Sequence, residues 1–206
     1  MNVIHRRMTR CLVILMAATG VYACGSSAPA RFYTLSTEAL APATPPLAGR
    51  RILVGPFELP EYLDRQQMAI RGTGGEIRFL EFQRWAEPLE AAFMSTFADD
   101  LIVAAGTEQV VVVPVPQQLP ADFRVMARVS RFDVDAAGEA VLVVQWYASD
   151  QKSRVVVPPR QSTYSRPAIL PLKAETGVAA LSATVADFAA DVARSLAVVP
   201  VVGEGP

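Results

Sequence analysis

The sequence has 206 residues, with 19 basic and 20 acidic side chains, a formal net charge of −1 and a single histidine. This balance of charge lacks the basic excess of nucleic-acid-binding proteins, so we expect no nucleic acid partner. The histidine is His5, close to the N-terminus. If that end is removed, the remainder has no histidine for a Ser-His-Asp, Cys-His or typical zinc site, and we expect no cofactor.

The first 23 residues have the three-part pattern of a secretory signal peptide. Arg6, Arg7 and Arg10 precede an apolar stretch at residues 11–23. This stretch of 13 residues is shorter than the roughly 20 residues that a membrane-spanning helix needs. The pattern predicts an export signal at residues 1–23 that is cleaved and does not remain in the membrane.

Residues 21–25 read VYACG, which resembles the lipobox of bacterial lipoproteins, where a cysteine is acylated and cleavage occurs before it. This predicts cleavage after Ala23 and lipidation of Cys24, palmitate included, although Tyr22 is bulkier than usual. The alternative is an ordinary cleavage near Ala23 that leaves a free thiol. Gly25 stands where inner-membrane lipoproteins of enteric bacteria usually carry Asp, which favours the periplasmic face of the outer membrane.

Cleavage would remove three of the 19 basic side chains and no acid, leaving 16 basic against 20 acidic side chains. Cys11 would leave with the signal, so the exported domain has neither a disulfide nor a free thiol and is stabilised by packing. We assign residues 24–31 to the lipidated cysteine and a tether, residues 32–200 to one folded domain and residues 201–206 to a C-terminal tail.

The first half of the domain is expected to be mostly β-structure. Residues 32–35 predict a strand, and the Ala/Pro/Thr-rich residues 36–49 predict a loop or flexible excursion. Residues 51–59 predict a strand that is broken or bent at Gly55-Pro56. Residues 67–71 and 76–82 flank the sequence GTGG and predict a β-hairpin.

An amphipathic helix is predicted at residues 87–105, with Pro88 at its first position. Leu89, Phe93, Phe97 and Leu101 recur at steps of four residues along it, which is the spacing of one helix face. Gly106 is expected to end this helix. The consecutive valines within residues 109–115 then predict a buried strand.

The second half predicts an antiparallel meander followed by a helix. Apolar and polar residues alternate at 123–129. Strands at 139–147 and 153–157 follow turns at 135–138 and 149–152, and residues 162–165 are a candidate extension of this meander. Apolar side chains recur at steps of three or four over residues 178–196, which predicts a long helix. The expected fold class is α+β (two-layer α/β), with a mixed, largely antiparallel sheet packed against two main helices.

Three near-motifs are better explained as turns than as catalytic or ligand sites. Ser149 and Lys152 have S-x-x-K spacing, but they fall on a predicted hairpin turn. The glycines at 72–75 are not followed at once by a helix, as a nucleotide loop requires. Asp133 and Asp135 begin like a calcium loop, but later positions lack carboxylates.

The chain between residues 53 and 89 carries the most specific sequence pattern. The FYTL of residues 32–35, the VGP of 54–56, the LP of 59–60, the YLDR of 62–65 and the RWAEPL of 84–89 follow one another. With the lipobox, they resemble the PqiC family of ABC-type transport auxiliary lipoproteins over nearly the whole exported chain. The resemblance implies a non-enzymatic outer-membrane lipoprotein that works with an inner-membrane transport component and an MCE-domain tunnel protein.

Candidate partner-binding residues lie in these segments: Tyr62, Leu63, Asp64, Arg65, Arg84 and Trp85. The residues after Pro60 are predicted to form a loop, where an aromatic side chain beside a charged pair is typical of an interface. Asp64 and Arg65 could also form only a local ion pair. Trp85 can equally belong to the core, with the following residues starting the helix.

Three hypotheses for function follow. The first is a lipid-transport accessory that docks the tunnel protein and supports envelope integrity as a symmetric homo-oligomer. The second is a carrier that holds a lipid or another hydrophobic ligand in an apolar cavity. The third is a carboxylate-dependent enzyme, which requires two acidic side chains that converge in a cleft.

Overall fold

The computed structural model describes residues 28–114, 119–168 and 173–200, so the predicted signal, Cys24, the end of the strand predicted at 109–115 and the tail at 201–206 lie outside the described residues. These residues form one eight-stranded mixed sheet with two long helices, which confirms the predicted fold class. The strands are β1 Arg31–Tyr33, β2 Ile52–Glu58, β3 Gln67–Arg71, β4 Ile77–Trp85, β5 Val110–Val112, β6 Phe123–Asp135, β7 Glu139–Asp150 and β8 Val155–Pro167. The helices are α1 Leu89–Ala105 and α2 Ala174–Ala197.

Strand β6 organises the sheet because it carries different neighbours along its two edges. One edge pairs antiparallel with β7, which continues to β8, and these are the longest ladders of the sheet. The other edge is divided: β2 pairs with residues 123–128 and β3 pairs with Val134 and Asp135, both in parallel. Beyond β6 the sheet therefore forks into a wing of β2 and β5 and a wing of β3, β4 and β1.

The bend predicted in β2 is confirmed at Gly55 and Pro56. The register of β2 against β6 shifts between Val54 and Phe57. Gly55 has a φ of 106°, and a Cβ at this position would lie 2.9 Å from Cγ2 of Val113. Both the backbone angle and the close neighbour therefore require glycine here.

The core lies between one face of the sheet and the two helices. Phe97 of α1 stands 5.1 Å from Phe57 of β2 and 4.7 Å from Phe188 of α2, measured between ring centroids. Trp146 of β7 contacts the same Phe188 ring at 5.8 Å. Aromatic rings at these separations contribute large buried areas and favourable edge contacts, so this cluster joins both helices to the sheet.

Helix α1 confirms the predicted helix with a small change at its start. Pro88 precedes the first helical residue, Leu89, and takes the N-cap position. Gly106 ends the helix with a φ of 66°, a left-handed conformation that glycine adopts without steric cost. The predicted C-terminal helix is also confirmed as α2, whose face with Val178, Leu181 and Phe188 is buried.

Helix α2 is long and apolar enough to cross a membrane, with a mean hydropathy of 1.2 over its most apolar window. However, 67% of that window is buried inside the fold. The apolar surface that gives α2 this composition is therefore already covered by the sheet and α1.

Two strands differ from prediction. Strand β8 is continuous over Val155–Pro167, whereas two separate pieces were expected around Pro158 and Pro159. The prolines are tolerated because β8 pairs only with β7 and the register shifts beside them, so no central ladder loses its donors. Strand β5 is half-buried rather than buried, since it pairs only with β2 at the end of its wing.

The Ala/Pro/Thr-rich residues 36–49 form a loop that lies along the C-terminal half of α1. The N–H groups of Ala43 and Leu47 donate to the carbonyl oxygens of Ala104 and Ala105, both at 2.7 Å. The N–H of Glu38 donates to Oδ1 of Asp100 at 3.0 Å. The loop therefore satisfies carbonyl groups that a helix end leaves without intrahelical partners.

Asp100 is fully buried, and its Oδ2 has no hydrogen-bond partner among the described residues. Burial raises the pKa of this carboxyl from 3.8 to about 6, and the charges of Glu38 and Asp99 act in the same direction. A raised folded-state pKa means that the native state binds the proton more tightly than the unfolded chain does. The contribution of this residue to stability therefore falls as the pH rises from about 4 through about 6, and it is constant at higher pH.

We predict that Asp100→Asn removes this dependence. The free energy of unfolding is measured by urea titration from about pH 4 to pH 7.5. The difference between the variant and the original protein should shift in favour of the variant by up to about 3 kcal/mol as the pH rises. Glu90→Gln on the exposed side of α1 is the matched control and should change the pH profile little. A constant offset between Asp100→Asn and the original protein at every pH would contradict the assignment.

Candidate functional site

The segment with most of the candidate partner-binding residues lies where the sheet forks. A single 3₁₀ turn at Glu61–Leu63 connects β2 to β3. It is closed by hydrogen bonds from the N–H of Leu63 to the carbonyl of Pro60, at 2.9 Å, and from the N–H of Asp64 to that of Glu61, at 3.0 Å. The Leu63 side chain is 4% exposed and packs into the core, so it fixes the turn to the domain.

Asp133 of β6 joins this turn to the two strands beneath it. Its carboxylate is fully buried. The hydroxyl of Tyr62 donates to Oδ2 at 2.9 Å, and Arg71 of β3 donates through Nε to Oδ1 at 3.1 Å and through Nη2 to Oδ2 at 2.6 Å. The planar guanidinium matches a carboxylate in this two-bond arrangement, which fixes direction as well as distance.

A second arginine completes the charge balance. Nε of Arg131 donates to Oδ1 of Asp133 at 2.9 Å, and its Nη2 lies 3.8 Å from Oδ2 of Asp135. Two guanidinium groups therefore face two carboxylates in a half-buried space. We name the four residues Tyr62, Arg71, Arg131 and Asp133 the fork cluster.

The fork cluster is arranged to hold the structure rather than to move protons. Burial, together with the charge of Asp133 and the hydrogen bond to it, raises the pKa of Tyr62 to about 12. The hydroxyl therefore stays protonated at neutral pH and remains a donor. Both oxygens of Asp133 are occupied by protein donors, so this carboxylate is not open to a substrate.

The six candidate residues fall into four groups. Tyr62 is half-buried and bonded within the fork cluster, while Leu63 and Trp85, each 4% exposed, belong to the core and do not present their side chains. Asp64 and Arg65 are exposed. Arg84 is half-exposed, with its Nε donating to the carbonyl of Glu81 at 3.3 Å.

The exposed part of the turn continues onto β4. The guanidinium carbon of Arg65 lies 4.0 Å from the ring centroid of Phe79, a cation–π contact, and the Phe79 side chain is 36% exposed. We name Asp64, Arg65 and Phe79 the turn surface. The fork cluster holds the turn from behind, so this surface is presented in a defined geometry.

The sequence pattern does not single out Arg71 or Arg131, and it places Asp133 only in a turn. Arg71 and Asp133 are 62 positions apart in the chain, so no local pattern links them. One pattern is present in the sequence: charged residues occupy the alternate positions 131, 133 and 135, which is the period of a strand. Charges on one face of a strand need partners when that face is covered.

Among residues 28–114, 119–168 and 173–200, no group of three or more His, Cys, Asp or Glu side chains is placed to hold a metal ion. The two most buried acids, Asp100 and Asp133, lie on different elements, α1 and β6. Asp133 is enclosed by cations and Asp100 is sealed from solvent. These two carboxylates do not form an open cleft.

We predict that Tyr62→Phe lowers the free energy of unfolding by about 1 to 3 kcal/mol, because it removes a donor to a buried charge. Asp133→Asn should cost about 2 to 4 kcal/mol, since two half-buried guanidinium groups lose their anion. Denaturant titration measures both. Tyr33→Phe, which removes a hydroxyl bonded to the exposed Glu175, is the matched control and should cost less than about 1 kcal/mol. Equal losses at Tyr62 and Tyr33 would contradict the role of the fork cluster.

Comparison with known proteins places this fold in a family. No curated protein matches the chain. The crystal structure of protein XCC0632 from Xanthomonas campestris is similar, with a TM-score of 0.64 and 18% identity over 79% of this chain and 92% of that chain. The crystal structure of an uncharacterized protein also has a TM-score of 0.64 and 18% identity, over 82% of this chain and 99% of that chain.

At this level of identity, the two structures show a shared fold and nothing finer. The family evidence comes from the sequence: a family model described as "ABC-type transport auxiliary lipoprotein component" matches residues 33–193. That match covers most of the chain, from β1 to the last turns of α2. The protein therefore belongs to the family of ABC-type transport auxiliary lipoprotein components.

Proposed function

We propose that this protein is an outer-membrane lipoprotein on the periplasmic face that docks an MCE-domain tunnel protein. The tunnel protein would connect it to an inner-membrane transport component, and the assembly would move lipids and support envelope integrity. The observation that carries the proposal is the family match over residues 33–193, since this family serves ABC-type transport and is not an enzyme family. The export signal and lipobox of the sequence support the membrane anchor.

The proposed anchor would hold the domain close to the membrane. Cys24 precedes Arg31, the first residue of β1, by seven positions. A fully extended chain of this length reaches at most about 25 Å. Two or more acyl chains give a stable anchor where one gives reversible binding. The β1 end of the sheet would therefore face the membrane.

The turn surface is the proposed docking site for the tunnel protein. It combines an exposed arginine with an exposed aromatic ring in direct contact, and arginine and aromatic side chains are the residue types that contribute most to binding at interfaces. It is fixed from behind by the fork cluster, so little conformational freedom is lost when a partner binds. Arg84, held by Glu81 on the same strand, extends the candidate surface.

We expect no catalytic step and no cofactor for this subunit. The acids with the strongest burial are either enclosed by arginine and tyrosine donors or sealed inside the core. The exposed ion pairs are of the ordinary surface kind, such as Arg31 with Glu175 at 3.2 Å. The proposed role is therefore binding and positioning.

The decisive experiment is co-purification of the tagged, acylated protein from envelope membranes in mild detergent. Mass spectrometry then identifies the proteins that accompany it. We expect an MCE-domain protein and an inner-membrane transport component. Repeated recovery of the lipoprotein without any MCE-domain protein would overturn the docking proposal.

Lipidation of Cys24 can be tested with a control inside the same chain. Cys24→Ser should abolish the incorporation of labelled palmitate and release the protein from membranes, because the acylated position is lost. Cys11→Ser changes the other cysteine, within the predicted signal, and should leave incorporation unchanged. Labelling that survives in Cys24→Ser would show that the lipobox assignment is wrong.

We further predict that Arg65→Glu reduces recovery of the MCE-domain protein at least about tenfold, which corresponds to about 1.4 kcal/mol. The variant should unfold within about 0.5 kcal/mol of the original protein, since Arg65 is exposed. Arg194→Glu, an equal charge reversal on the exposed side of α2, is the matched control and should retain the partner. Equal recovery in both variants would exclude the turn surface as the docking site.

A further inference from the structure

A groove with a volume of about 690 Å³ lies between the wing of β3, β4 and β1 and the first turn of α2. It is open to solvent along part of its length. Its volume falls within the ~300–1,000 Å³ that is usual for sites that hold small molecules. The groove is separate from the turn surface, since none of Asp64, Arg65 and Phe79 lines it.

The floor of the groove is apolar. Met68, Ile70, Leu80 and Val134 line it together, and Met68 and Val134 are buried. The pairing of β3 with β4 and β6 places these four side chains on one face of the sheet, because Met68 is opposite Leu80 and Ile70 is opposite Val134. A continuous apolar strip of this kind suits an unbranched hydrocarbon chain.

The rim of the groove carries two cations and one anion. Arg31 and Lys173 lie at the rim with Glu175 between β1 and α2. Nη1 of Arg31 lies 3.2 Å from Oε1 of Glu175, and the hydroxyl of Tyr33 donates to the same oxygen at 3.1 Å. The Arg31 side chain is 71% exposed, so donors of its guanidinium beyond this one contact face solvent.

We propose that this groove binds a phospholipid, with one acyl chain on the apolar floor and the phosphate at Arg31 and Lys173. The chemistry of the two parts matches: hydrocarbon against Met68, Ile70 and Leu80, and a phosphate against a guanidinium and an ammonium group. The site takes its lipid from the membrane that holds the anchor. Arg31 is seven positions from Cys24, so the rim lies within about 25 Å of the acylated residue.

This inference rests on the proposed function and names the substrate class at one site. The phospholipid of the surrounding membrane is the committed occupant. The acyl chains of Cys24 itself are chemically related, and the tether is long enough for them to reach the rim, so the experiment has to separate the two sources.

The test uses the full, acylated protein in its own membrane. The photoreactive residue p-benzoylphenylalanine is placed at Leu80, which lines the groove, or at Phe79, the next residue of β4, whose side chain lies on the opposite face. After illumination, mass spectrometry identifies what is attached to β4. We expect roughly tenfold more phospholipid adduct at position 80 than at position 79, equivalent to about 1.4 kcal/mol of preference.

Two results would overturn the proposal. One is an equal yield of phospholipid adduct at the two positions, which would indicate passive contact with the membrane. The other is attachment of position 80 to the acylated peptide of Cys24, which would show that the protein's own anchor fills the groove.

Two further variants test whether the phospholipid adduct depends on the groove and whether recovery of the MCE-domain protein is independent of it. With the photoreactive residue at position 80, Ile70→Trp should fill the floor and Lys173→Glu should reverse one rim charge, and each should lower the phospholipid adduct roughly tenfold. Lys173 is exposed, so its variant stays informative even if Ile70→Trp does not fold. Both should still recover the MCE-domain protein. An unchanged adduct in Lys173→Glu would exclude a phosphate at the rim. Loss of the MCE-domain protein in this variant would count against the turn surface as the docking site and not against the groove.

Discussion

The divided edge of β6 is the constraint on which the rest of the structure depends. Two strands, β2 and β3, pair with different parts of one edge of β6. The chain between them must leave the sheet, turn and return, and the space that it crosses has no continuous ladder. The Asp133 carboxylate connects the parts of the fold that meet at this space, since its donors come from the connecting turn, from β3 and from β6 itself. Without the hydrogen bonds to Asp133, the pairing of the wing of β3, β4 and β1 with β6 would consist of two residue pairs, Ile70 with Val134 and Arg71 with Asp135.

The two buried acids show opposite solutions to the cost of burying a charge. Asp133 is surrounded by guanidinium and hydroxyl donors, which compensate for lost hydration. Asp100 accepts one backbone N–H from the loop at residues 36–49 and has a second oxygen without a partner among the described residues. The first acid therefore joins strands through charged donors, while the second couples a loop to α1 in a way that depends on its protonation.

Much of the fold follows from local patterns. The four-residue steps of Leu89, Phe93 and Phe97, the glycines at 72–75 and the bend at Gly55 each report on nearby backbone, and the structure confirms what they predict. The candidate site was harder to predict, because the exposure of its side chains depends on residues that are distant in the sequence. Tyr62 was placed in an interface for being an aromatic residue in a turn, yet its hydroxyl partner is 71 positions away on β6. The burial of Leu63 and Trp85 was equally hard to predict, because nothing in the neighbouring sequence shows which side of the sheet the helices cover.

The alternation of side chains along β4 has a thermodynamic consequence. Phe79 and Leu80 are consecutive, so one peptide group connects the ring beneath Arg65 to the floor of the groove. A displacement of this peptide by a ligand on one face alters the geometry on the other. If occupation of the groove changes the affinity of the outer face by some factor, then binding at the outer face changes the affinity of the groove by the same factor. Under that condition, occupation of the groove and binding at the turn surface are thermodynamically linked through one strand.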